Sequence, residues 1–197
     1  MKGFLLLLVT CGLMATAIAG PDERVAEIRK WYDTVQKAKP TAERKIAFEA
    51  ESEPLIGDVT IREYDDGWKA VVASYGAGDH AMIDEHFYFK EGKLFFSYIV
   101  TTYWRFHPDS TDEKPKTVDT RTEDRYYYDG ETCIRCLTRS ATSEEGDKLA
   151  AIVGKLEQKQ VDPAKEPDKN GKADAKRAGK LLVAKTAAEL LAAFEVK

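Results

Sequence analysis

Cysteine, histidine and surplus positive charge are all scarce in this chain. Three cysteines and three histidines among 197 residues leave little material for a disulfide framework or a zinc site. Thirty basic residues face 34 acidic ones, for a net charge of −4. With no cationic excess to neutralise phosphates, nucleic acid is not an expected partner. Beyond the first residues there is no long apolar run, so no membrane-spanning helix is expected there. GxSxG, P-loop, GxGxxG and HExxH patterns are all missing. That removes the common signatures of serine hydrolases, nucleotide binders and zinc peptidases. The expectation is a protein that is not an enzyme and needs neither cofactor nor metal.

What is present begins with MKGFLLLLVTCGLMATAIAG. Lys2, the apolar stretch opening at residues 4–8, and the small residues Ala17 and Ala19 read as a secretory signal peptide over residues 1–19, cleaved after Ala19. Its apolar run is shorter than the roughly 20 residues of a spanning helix. The expected location is therefore periplasmic or secreted. Cys11 would leave with the signal, and Cys133 and Cys136 remain.

Residues 20–142 read as a helix followed by an antiparallel sheet. Val25, Ile28, Trp31 and Val35 recur at spacings of three and four, which predicts a helix over residues 22–39 ending before Pro40. The period then falls to two. Strands are expected at 46–52, 58–64, 68–75, 82–89, 94–107, 121–128 and 131–138. Within 94–107 the even positions carry Leu94, Phe96, Tyr98, Val100, Thr102, Trp104 and Phe106, and the odd ones include Ser97, Thr101, Arg105 and His107. That alternation predicts one apolar and one wet face.

One phrase occurs twice. HFYFKEGKLFFSY starts at His86, and RYYYDGETCIR starts at Arg125, 39 residues later. Each is an aromatic triplet, a glycine turn and a resumed apolar run, the pattern of a β-hairpin. Lys90-Glu91-Gly92 is the first expected turn and Asp129-Gly130 the second, because Asp-Gly tolerates positive φ. Two copies are too few for a solenoid or propeller.

Residues 143–197 form an Ala/Lys/Glu-rich tail. Helices are expected at 144–160 and 174–194, joined by a linker over 161–173 that contains two prolines and a glycine. Leu181, Ala184, Ala187, Leu190, Leu191 and Phe194 share one side of the last helix.

Few groups invite chemistry. Cys133 and Cys136 form a CxxC, but on a strand residues three apart point to opposite faces. Their Cα atoms would lie about 10 Å apart at strand rise, beyond disulfide reach. Both are therefore read as strand packing, with a redox role, a strained disulfide or pairing with another chain as the alternatives. Asp79, His80 and Asp84 are close enough in sequence for a local metal cluster, and read more simply as a polar loop entering a strand. His86 and His107 lie on strands with no motif around them. Tyr98, Tyr103, Trp104, Phe106, Tyr126, Tyr127 and Tyr128 are read as cross-strand packing, with a concave sheet face for an apolar or sugar ligand as the functional alternative.

FYFKEGKLFF and RYYYDGETCIR, after an N-terminal IRKWYD helix, resemble a group of secreted or periplasmic bacterial proteins with repeated Tyr-Tyr-Phe…Asp/Asn-Gly-Lys-Leu hairpins. The resemblance covers residues 25–138, speaks to fold, and implies no activity. Cys133 departs from it, standing where that pattern has an apolar residue.

The expected object is an α+β domain. An antiparallel meander of six or seven strands carries the N-terminal helix and C-terminal helices on one face. Its expected function is that of an exported, non-catalytic envelope protein binding a protein partner or a small apolar ligand. The alternative is a hydrolase of envelope polymers using carboxylates such as Asp84 or Glu85. No catalytic, cofactor or metal residue is assigned. Edge strands of such a sheet can pair two copies, so a homodimer is one expected state.

Overall fold

The computed structural model describes residues 20–165 and 171–195. The proposed signal peptide and its cleavage after Ala19 lie outside the described residues. Helix α1 (Pro21–Lys37) starts with Pro21 at its first position, where a missing N–H costs nothing. Glu23 accepts a hydrogen bond from the Gly20 N–H at 3.2 Å. Val25, Ile28 and Val35 are its buried stripe, as the spacing predicts.

An antiparallel meander follows. It runs β1 (Ala42–Glu49), β2 (Leu55–Glu63), β3 (Trp68–Ala77), β4 (Ala81–Lys90), β5 (Lys93–Phe106), β6 (Thr117–Asp129) and β7 (Thr132–Ser143). Strand β8 (Lys159–Val161) completes the sheet, whose spatial order is the chain order from β1 to β8. The meander and its flanking helices match the expected α+β class. The eighth strand was not expected. The sequence predicts a helix over 144–160, but helix α2 (Leu149–Gly154) is short and the chain then pairs with β7 through Val161, Gln160 and Lys159. The open edge of β7 supplies the hydrogen-bond partners that an extended segment needs.

The helices divide between two faces. On the front, α1 packs on Ala70, Tyr88, Phe96, Tyr127 and Leu137. Front-facing Arg139 donates to the Gly154 carbonyl at 2.9 Å, which ties α2 over β6 and β7. On the back, helices α3 (Lys172–Val183) and α4 (Ala187–Ala193) bury Ala178, Leu181, Leu190 and Ala193 against Phe48, Val59, Val71 and Phe87. The single covered face of the sequence reading thus becomes two. Ser97, expected on the wet side, is fully buried, with its hydroxyl 3.3 Å from the Tyr128 hydroxyl.

One expected C-terminal helix is two. The chain breaks at Ala184 and restarts at Thr186, whose side chain accepts from the Glu189 N–H at 3.2 Å. The Thr186-x-x-Glu189 spacing is the sequence signature of that restart. The break lets α4 fold back to reach β1, where Phe194 stacks near Phe48 and Tyr75, with centroids 5.0 and 4.7 Å away. In the expected linker 161–173, Val161 belongs to β8 and Lys172 opens α3; residues 166–170 lie outside the described residues.

Candidate functional site

The repeated phrase builds the site. Both hairpins carry a β-bulge at the same point of the phrase, between Tyr88 and Phe89 and between Tyr127 and Tyr128. Phe95 and Ile134 are the extra residues, because Phe96 pairs with Tyr88 while Leu94 pairs with Phe89, and Arg135 with Tyr127 while Cys133 pairs with Tyr128. A bulge bends and twists its strand. Pairing of β5 with β6 ends at Phe96 and Tyr127, so beyond that level the two hairpin tips are not joined by ladder hydrogen bonds.

The first tip turns on Glu91 and Gly92, with φ of 50° and 76°, the two positive values of a type I′ turn. The second turns on Gly130 and Glu131, one residue later than the sequence reading placed it. Gly130 has φ of 59° and Glu131 has no positive φ, the glycine-first pattern of a type II′ turn.

Between the tips and α3 lies a cavity of about 620 Å³. Phe89, Leu94 and Ala175 give it an apolar wall. The bulge at Phe95 is what turns Leu94 to the back face, since Phe95 and Phe96 both pack with α1 on the front. Among the described residues, Lys93, Lys172 and Lys176 stand around the cavity against one carboxylate, Glu131. Lys176 bonds Glu195 at 3.2 Å, and among the described residues Lys93 enters no ion pair. A smaller front cavity of about 250 Å³ shares Lys93, Leu94 and Gly130, so the gap between the tips is reached from both faces. Its Lys90 ammonium is held 4.5 and 4.8 Å from the Trp31 and Trp68 rings.

A second trough, of about 520 Å³, runs beside α1 on the front. Cross-strand register sets Val72, His86, Tyr98 and Arg125 in one row there. Several of its polar groups are engaged with neighbours. Arg62 bonds Glu43 at 2.7 Å, Gln36 donates to the Tyr88 hydroxyl at 3.1 Å, and the Arg125 guanidinium lies 4.6 Å from the Tyr98 ring centre. Burial lowers the His86 pKa below its ordinary value despite nearby Asp84. Beyond it, Glu123 is nearly inaccessible and accepts from Arg139 at 2.7 and 2.9 Å and from Arg121 at 3.1 Å. Burial alone would raise its carboxyl pKa, but the bonds from Arg139, Tyr98 and Arg121 outweigh it and hold the pKa low.

Neighbouring Asp84 and Glu85, the candidate hydrolytic carboxylates, point to opposite faces. Asp84 accepts from the Ser74 hydroxyl at 2.5 Å on the front. Glu85 is 1% exposed on the back, where both its oxygens meet the Arg177 guanidinium, one at 3.1 Å. Asp174 accepts from the same guanidinium at 2.7 Å. Burial raises the Glu85 pKa and Arg177 opposes that shift. The two carboxylates therefore share no cleft.

Asp79, His80 and Asp84 are not brought together. The His80 ring packs on Trp104 at 4.0 Å, and among the described residues no group of three or more His, Cys, Asp and Glu side chains could hold a metal. His107 lies 3.5 Å from Glu144 and 3.7 Å from Asp109. Cys133 and Cys136 form no disulfide among the described residues, and the bulge at Ile134 puts both on the back face, where regular alternation would have separated them. Burial pushes the Cys133 thiol up to about 11. The seven aromatics do not form one surface. Tyr98 and Tyr127 border the front beside α1, Tyr126 and Tyr128 are buried on the back, and Tyr103 and Phe106 are exposed at the far end of β5.

Sequence reasoning missed Leu94, Lys93, Lys172, Lys176 and Gly179 as lining residues of one cavity. Their signal was available only in part, as the glycine of each turn and the repeat of the aromatic triplet. Comparison of the chain with family models, curated proteins and solved structures gave no match.

Proposed function

We propose that the chain is an exported, non-catalytic envelope protein that binds a small, largely apolar ligand in the cleft between its two hairpin tips and α3. The observation that carries this reading is the cavity itself. Its volume of about 620 Å³ falls within the range of small-molecule sites, and an apolar wall with a few convergent polar groups is their usual lining. The acidic residues support binding over hydrolysis, because Glu85 and Glu123 are each engaged by arginine. The cleft walls are strand ends and a helix, regular elements that keep the ordering cost of binding low. The test is native mass spectrometry of the protein taken from the envelope fraction. The expected result is a chain shortened after Ala19 that carries an additional mass, lost on denaturation and absent from a Gly179→Leu variant. A bare chain that also fails to bind added decanoate or decanol would overturn the reading.

A protein partner is the second reading. Ile56 and Met82 are both 57% exposed on the front and flank Gly76, where a methyl group would meet each side chain within 4 Å. Replacing both with serine would abolish capture of such a partner and leave the tip cleft unaffected.

A further inference from the structure

We propose that the occupant of the tip cleft is a single-chain anionic amphiphile, with its tail on Phe89, Leu94 and Ala175 and its anionic head among Lys93, Lys172 and Lys176. This rests on reading the cleft as a binding site, and names its ligand class.

Three observations carry it. The first is charge. The chain has a net charge of −4, yet among the described residues the cavity collects three ammonium groups and one carboxylate. Lys93 enters no ion pair among the described residues. The Lys176 partner, Glu195, is 68% exposed and also lies 3.5 Å from Lys180. An exposed pair of that kind holds its lysine weakly, so an incoming anion displaces little.

The second is the apolar wall. Leu94 is turned into the cavity side by the bulge at Phe95, and it packs beside buried Phe89. A charged head alone would have no use for that wall, and an uncharged ligand would have none for the lysines.

The third is Gly179. It lies inside α3, where glycine weakens a helix relative to alanine. Close packing does not require it, because an added Cβ would meet nothing within 4 Å. It lines the cavity, and any side chain there would enter the ligand's space. The glycine keeps the cleft open.

Calorimetric titration of the purified chain with decanoate and with decanol, both below their aggregation limits, tests the assignment. Three partly screened ion pairs lead to decanoate binding about tenfold more tightly than decanol at low salt, a gap that closes as salt is added. Replacing the three lysines together (Lys93→Gln, Lys172→Gln, Lys176→Gln) is expected to bring decanoate down to the affinity of decanol and leave decanol unchanged. Gly179→Leu is expected to abolish binding of both while melting no lower than the parent chain. Equal binding of the two ligands by the parent chain would overturn the anionic assignment and leave the cleft reading standing. If Gly179→Leu bound both ligands as the parent does, the cleft itself would be wrong. Co-sedimentation with phosphatidylglycerol vesicles that persists in Gly179→Leu would assign the lysines to a bilayer surface and overturn the proposal.

Discussion

Single side chains set the strongest local constraints. Glu85 and Arg177 meet across 92 residues of sequence in a nearly dry interface between β4 and α3. Breaking a buried pair from one side strands a charge. Arg177→Ala is therefore expected to cost about 3 kcal/mol, read as a lower denaturant midpoint at unchanged slope. The double change Glu85→Leu with Arg177→Leu leaves no buried Glu85 charge, releasing only Asp174, which is 18% exposed, and is expected to cost less than the single one. Acid sensitivity also belongs to this scale. His86 has its pKa lowered by burial, so between its folded value and the unfolded value near 6.5 the unfolded chain binds more protons. Stability then rises with pH across that window. The depressed Glu123 acts with the same sign lower down, stabilising above its unfolded pKa and losing that contribution as pH falls through the folded one. Glu85, whose pKa burial raises, acts with the opposite sign, so the comparison with a variant isolates His86. In equilibrium unfolding from about pH 7 to 3, the loss of stability on acidification between about pH 6.5 and the folded His86 value is expected in the parent and absent from His86→Phe. Cys133, with its thiol up at about 11, is expected to react far more slowly with iodoacetamide at pH 8 than an ordinary cysteine, because thiolate is the reactive form.

At the level of elements, turns and caps decide where the chain changes direction. Thr186 begins α4, and Thr186→Ala is expected to cost about 1 kcal/mol through the lost cap. Gly171 precedes α3 at φ 67°, and a Cβ there would sit 2.6 Å from the Tyr128 hydroxyl, which already donates to the Gly171 carbonyl at 3.2 Å. Gly171→Ala is therefore expected to lose about 2 kcal/mol or more, from left-handed strain plus the clash. Gly179→Ala, on the same helix, is expected to gain about 0.5–1 kcal/mol, because its surroundings are open and its φ is helical. Opposite signs at two glycines of one helix separate a backbone requirement from a cavity requirement, and one urea titration per variant measures both.

For the whole molecule, the sheet is a shared floor for two helical layers. Leu181, Leu190 and Ala193 belong to the same cluster of buried side chains as Val59, Val71 and Phe87. Removing residues 143–197 would expose that back face as one apolar patch. The shortened chain is expected to lose cooperative unfolding and to aggregate, as size-exclusion chromatography and calorimetry would report. The sheet's free edge at β1 carries Glu43, Arg44, Lys45 and Glu49, charges that discourage further strand pairing.

Alternation and turn chemistry in the sequence determined the meander. Adjacent strands of a meander are neighbours in sequence, so period-two runs and glycine turns are local signals that carry nearly the whole topology. The stripe Val25, Ile28 and Val35 determined α1 in the same way. Only the tertiary structure decided the rest. An alternating strand shows an apolar set but not which helix will cover it, and Ser97 reads as wet until Tyr128 closes over it. The bulges at Phe95 and Ile134 add one residue to a ladder whose partner strand must be known before the excess exists. Those two residues turn Leu94 and Cys133 to the back and leave the hairpin tips unjoined. The lysines of the cleft come from a turn and a helix nearly 80 residues apart, and packing of α3 on the sheet, a long-range event with no local signature, brings them to one cavity.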